Sequence, residues 1–164
     1  MIVRTSVIRG ALACALACSV ALAGCAAGGA SPMTDEQRAN NAYMSQVNET
    51  MVELDSGLDS FIEAVSRGDI VNMRTQAQNA YRSLDKLSSL EAPEQLADVK
   101  KCYVDGTGKL RQALDEYIEL YSEAAQGGAS YDWDGYNKRI ESVQSLYDEG
   151  VKMLEDGDAK AAEV

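Results

Sequence analysis

The sequence predicts an all-α fold, an up-down-up-down antiparallel four-helix bundle behind a leader segment that is cut away. Three observations predict it. From Thr34 onward, apolar residues recur at steps of three and four, the spacing of one helix face. Ala, Leu, Gln, Glu, Lys and Arg recur, Ile, Val and Thr are sparse after residue 25, and Pro stands only at positions 32 and 93, a bias toward helix over strand. The pattern breaks at Gly68-Asp69, around Pro93 and at Gln126–Gly128. Four stripes remain, joined by short connections, and short connections force antiparallel neighbours.

The first helix starts at Thr34, a good N-cap, with Gln37 three residues later as its capping-box partner. Its stripe is Tyr43, Val47, Met51, Leu54, Leu58, Phe61 and Val65, and Gly68 ends it. Asp69 caps the second helix, whose stripe is Ile70, Met73, Ala77, Ala80, Leu84 and Leu87, with Tyr81 and Leu90 alongside. In "EAPEQL" Pro93 reads as the first residue of the third helix. That helix carries Leu96, Val99, Tyr103, Gly106, Leu110, Ala113, Tyr117, Leu120 and Ala124. Two glycines, Gly106 and Gly108, lie inside it; Gly106 falls on the core stripe, where close helix approach and a kink are competing readings. The fourth helix begins near Asp132 or Asp134, carries Trp133, Tyr136, Ile140, Val143, Tyr147 and Leu154, with Leu146 and Val151 alongside, and stops at Gly157. The expected bundle spans 34–157, followed by a frayed tail over 158–164.

Helices one and three should then have about 33 residues, roughly 50 Å, and helices two and four about 22, roughly 33 Å. Walking up and down with these lengths leaves an offset. The start of helix one should project at one end, and the junction of helices three and four at the other.

Residues 1–24 have the layout of an export signal: Arg4 and Arg9 at the start, the apolar core Gly10–Ala23, then small residues around Gly24. The core is short for a membrane span, which needs roughly 20 residues. Leu22-Ala23-Gly24-Cys25 resembles the lipobox of bacterial lipoproteins. The resemblance covers the leader alone. It implies diacylglycerol on the Cys25 sulfur and cleavage between Gly24 and Cys25, so that residue 25 becomes the N-terminus of a lipid-anchored protein on the outer face of the cytoplasmic membrane or on an outer membrane. Cys14 and Cys18 would leave with the leader. An ordinary secretory leader with an incidental Cys25 is the alternative. Two or three acyl chains on one residue hold far longer than one, which binds only marginally. Residues 25–33 comprise the lipidated Cys and a flexible tether; its eight residues from Ala26 reach about 15 Å. The body should stay near the bilayer.

Of the 15 Lys and Arg residues, Arg4 and Arg9 lie in the leader; the other 13 face all 26 Asp and Glu, a net charge of −13. A body this acidic repels phosphate backbones and anionic headgroups, which argues against nucleic acid as a partner. There is no histidine, which removes Ser-His-Asp and Cys-His catalysis, His-containing zinc sites and the Glu-x-x-His pairs of di-iron bundles. No cofactor, metal site or catalytic residue is assigned. Beyond the lipidated position, Cys102 is the one remaining thiol, read as a small buried hydrophobe or as half of an intermolecular disulfide. Acids stack at helical spacing, Asp55, Asp59 and Glu63 on helix one and Asp115, Glu119 and Glu123 on helix three with Glu116 beside them. Such stacks are either a solvated face or oxygen ligands for a hard cation such as calcium. "DWDGYNKRIE" begins like a calcium loop, but its later ligand spacing is wrong.

The stretch that draws a functional expectation is "GGASYDWDGY" (Gly127–Tyr136). Tyr131, Trp133 and Tyr136 stand among acids and glycines, and Tyr117 and Tyr121 should lie nearby. Aromatic clusters with polar rims suit recognition of sugars, peptides or protein partners. Trp133 and Tyr136 also fit the core period, which would make them a plug in the bundle end. The expectation is a noncatalytic envelope lipoprotein that binds or scaffolds an envelope protein or glycan and meets the membrane through Cys25. The alternatives are a bundle that binds a small ligand or cation beside a transporter and, ranked last, a hydrolase with paired carboxylates.

Overall fold

The computed structural model describes residues 33–128 and 131–164. The leader, Leu22, Ala23, Gly24, Cys25 and the tether up to residue 32 lie outside the described residues. The body Thr34–Val164 is all-helical: α1 (Asp35–Arg67), α2 (Ile70–Ser89), a 3-10 turn (Glu94–Leu96), α3 (Ala97–Gln126) and α4 (Trp133–Ala161), with no strand among the described residues. None of these helices is long and apolar enough to cross a membrane.

The caps form where the sequence places them. The Thr34 hydroxyl accepts from the Gln37 N–H at 3.1 Å, and the Gln37 side-chain oxygen accepts from the Thr34 N–H at 3.0 Å. Such a cap contributes about 1 kcal/mol. Gly68 closes α1 in the left-handed conformation at φ +67°, where L side chains are strained. The N–H groups of Gly68 and Asp69 turn back to Val65 and Ala64. Asp69 then caps α2 by accepting from the Asn72 N–H at 3.0 Å, so two residues end one helix and start the next. Pro93 stands one step earlier than expected: it precedes the 3-10 turn, and α3 begins at Ala97.

The core follows a strict alternation of four and three. In α1 it reads Tyr43, Val47, Thr50, Leu54, Gly57, Phe61 and Ala64; in α2, Met73, Ala77, Ala80, Leu84 and Leu87. In α3 it runs from Val99 through Tyr103, Gly106, Leu110 and Ala113 to Leu120, and in α4 through Val143, Gly150, Leu154 and Gly157. This is the repeat of knobs-into-holes packing. Met51 and Val65, expected on the stripe, are half-buried beside it, and Thr50 and Ala64 take the central positions.

Small residues set the distance between helices. A Cβ on Gly57 would lie 3.3 Å from the Ala80 backbone, and one on Gly106 would lie 2.9 Å from the Gly150 carbonyl oxygen. Gly106 is a point of close approach, and α3 stays helical through it. α4 runs on past Gly157, the expected stop, to Ala161. Gly157 faces the Tyr103 ring, with a Cβ there 2.8 Å from Cε1, and the Tyr103 hydroxyl donates to Asp158 at 2.6 Å. The residues from 158 to 161 are therefore helix rather than tail.

The offset expected at the junction of helices three and four is absent, and α4 is longer than foreseen, with 29 residues against 30 in α3. α3 still has 30 residues against 20 in α2, so register rather than length removes the offset. Near the α1–α2 turn, Arg74 hydrogen-bonds Ser122 and the Tyr121 hydroxyl lies 2.8 Å from where a Gly68 Cβ would be; the end of α3 is level with that turn to within about a helical turn. At the opposite end, Tyr43 and Val47 are buried in one cluster with Leu96, Val99 and Tyr103, so α1 is packed from Tyr43 onward.

Candidate functional site: an aromatic cluster where α3 meets α4

The expected residues of the aromatic site sit on the end of α3, at Tyr131 just ahead of α4 and on the first turn of α4, and the structure brings them together. Tyr131, Trp133 and Tyr136 form a triangle of edge-to-face rings. Their centroids are 5.0 Å apart for Tyr131–Trp133, 5.7 Å for Trp133–Tyr136 and 6.1 Å for Tyr131–Tyr136. Such pairs add about 0.5–1.5 kcal/mol each beyond area burial. Tyr136 and Tyr117 pack on a small second cluster, Ala113, Leu120 and Val143, that underlies the site. Tyr117 also meets Phe61 of α1 edge to face at 5.8 Å, which ties the cluster to the main core.

Local backbone chemistry fixes the triangle. Asp132 accepts from the Gly135 N–H at 2.9 Å and caps α4. A Cβ on Gly135 would lie 2.4 Å from the same carboxylate, so a side chain there would have to push the Asp132 oxygen aside. The Trp133 N–H donates to the Tyr131 carbonyl at 3.0 Å. The Tyr131 ring rests on Gly127, where a Cβ would come within 2.1 Å of Cδ2. Arg139 pairs with Glu123 at 2.6 Å and bridges α4 to α3 beside the cluster.

Trp133 does not plug the bundle. It is 54% exposed, although its position fits the core period, because α4 begins at that residue and no helix end covers it. Tyr136, Tyr131, Tyr117 and Tyr121 are half-buried. Burial holds the Tyr117 phenol well above its usual range, with neighbouring Tyr136 and Tyr121 adding to the effect. The Tyr136 phenol is raised by burial first, then by Tyr131 and Tyr121. Both stay protonated at neutral pH. Neither supplies a base.

The acidic stacks do not converge. Glu63 pairs with Arg67, Glu123 with Arg139, Asp115 accepts from the Tyr81 hydroxyl, and Glu116 accepts from Gln112. Among the described residues no group of three or more His, Cys, Asp or Glu side chains is placed to hold a metal ion. Cys102 is half-buried rather than core, and the Lys160 ammonium donates to its sulfur at 3.3 Å.

Sequence reasoning missed Gly68 and Phe61 as parts of this end, and it placed Gly127 in the stretch without its role beneath Tyr131. "QGG" reads as a helix terminator, and the demand for a bare Cα at Gly127 arises only once the Tyr131 ring lies against it. Compared with family models, with curated proteins and with solved structures, the chain finds no match. The functional reading therefore rests on its own residues.

Proposed function

We propose that the chain is a noncatalytic exported lipoprotein, moored by diacylglycerol on Cys25, whose aromatic end contacts an envelope partner. The proposal includes the leader 1–24, the short tether and an up-down-up-down antiparallel bundle. The pairing of helices supports that topology. Glu53 meets Lys86 while Gly57 meets Ala80; Arg74 meets Ser122 while Asp85 meets Arg111; Tyr103 meets Asp158 while Glu123 meets Arg139. In each pair of helices one number rises as the other falls.

The observation that carries the binding role is Trp133, held by two tyrosines and open to solvent. An exposed indole on a fixed platform loses little conformational freedom on binding, which is why such rings dominate contact energies. The anchor rests on Leu22-Ala23-Gly24-Cys25, and the acidity of the body leaves lipid contact to the acyl chains.

A photoreactive phenylalanine analogue in place of Tyr131 tests the contact surface in intact cells. Irradiation should give one discrete adduct. The same analogue at Val52, exposed on α1, should give none. Recovery of monomer alone from both positions would remove the aromatic end as a contact surface.

A further inference from the structure

Resting on that reading, we infer that the aromatic end receives a Lys or Arg side chain from a basic segment of a partner protein, seated on Trp133 beside Asp134. Three observations lead there. The triangle is closed to a ligand at its centre: rings 5.0–6.1 Å apart in edge contact leave no gap between them, so a ligand must use an outer face. The face on offer belongs to Trp133, the most exposed of the rings and the best aromatic acceptor for a cation. The charge around it is also lopsided. Asp132 and Asp134 flank the indole in sequence, and Arg139 is already paired with Glu123. Asp132 is engaged in capping α4, which leaves Asp134, exposed and without an ion pair among the described residues, as the nearest free carboxylate in sequence. One turn further along α4 stand two opposing charges, Lys138 and the Arg139 already paired with Glu123.

Cation and carboxylate work together in this arrangement. The indole face attracts an ammonium or guanidinium through its quadrupole, and the carboxylate beside it holds the same charge. At longer range a body of net charge −13 draws cationic segments in and repels anionic ones, an effect that salt weakens. A neutral glycan would stack on the indole without needing the acids.

The chain contains one Trp, so its emission reports this end alone. The full chain in neutral detergent micelles is titrated with a synthetic peptide of Lys, Arg and Ser, with a Glu counterpart and with a neutral oligosaccharide. The basic peptide should change Trp133 emission saturably and bind more weakly as salt rises; the Glu peptide should do nothing. By calorimetry, Trp133→Ala should bind the basic peptide about 2-fold to 30-fold more weakly, and Asp134→Asn about 2-fold to 5-fold. If Trp133→Ala binds as tightly as the parent, the peptide lies elsewhere on the acidic surface and the inference falls. A response to the oligosaccharide alone also overturns it, while leaving the aromatic end as a contact surface. Absence of any adduct from position 131 in cells strikes that underlying reading instead.

Discussion

Asp158 sits one residue past a glycine, near the end of α4, and accepts from the Tyr103 hydroxyl at 2.6 Å. Burial raises its carboxyl above the usual range, and the Tyr103 hydrogen bond offsets only part of that rise. The sign of the linkage follows. In the window between the ordinary and the raised value, the folded state holds more proton than the unfolded one, so this group's contribution is complete at low pH and declines as pH rises through the window. Asp158→Asn keeps an oxygen to accept from Tyr103 and has no charge to bury. Its stability relative to the parent should therefore improve between pH 3 and pH 7, read as urea midpoints at both. A difference that does not move with pH, or that moves toward the parent, would contradict the burial account. Tyr43 shows the same physics in a neutral group. Its hydroxyl is buried without a hydrogen-bond partner among the described residues, and burial pushes its pKa up to about 12.

At the scale of the helix pair, the α3–α4 seam separates two glycines that look alike in the sequence. Gly106 faces α4, and a Cβ there would meet both the Gly150 carbonyl oxygen and Leu154 Cδ2 at 2.9 Å. Gly108 faces open space. Gly106→Ala should cost about 1–3 kcal/mol, because a backbone atom cannot move aside as a side chain can. Gly108→Ala should add about 0.5–1 kcal/mol through helix propensity. Urea unfolding of the two variants checks this, and shifts of the same sign would refute the seam. The four helices, their caps at Thr34 and Asp69 and most of the large core residues were legible in the sequence, since capping chemistry and apolar spacing are local; the start of α4 was legible only as Asp132 or Asp134. Thr50, Ala64, Gly150 and Gly157 were not. A search for apolar bulk passes over small residues, yet the four-three alternation runs through them, and Gly157 reads as a terminator until Tyr103 is seen to occupy its empty side. The aromatic site was legible as a set of residues. The exposure of Trp133 was not, because the period of a helix says nothing about where that helix begins to be covered.

Over the whole molecule, each helix packs chiefly on its neighbour in sequence, α1 on α2, α2 on α3 and α3 on α4. Ion pairs such as Lys86–Glu53 and Lys109–Glu149 lie on the surface, where each contributes about 0–1 kcal/mol. The core and caps therefore hold this acidic body together, and the excess of acid is free to serve solubility and long-range steering. None of the described helices offers a membrane span. In the proposed account attachment falls to Cys25 alone, and that is its central claim. Intact-mass spectrometry of the protein extracted from membranes, with sequencing of its first peptide, tests it most directly. The account predicts a chain that starts at Cys25 and carries a diacylglyceryl thioether, and a Cys25→Ser variant that leaves the membrane fraction with its leader uncut. A chain starting at any other residue, or an unmodified thiol at position 25, would contradict it.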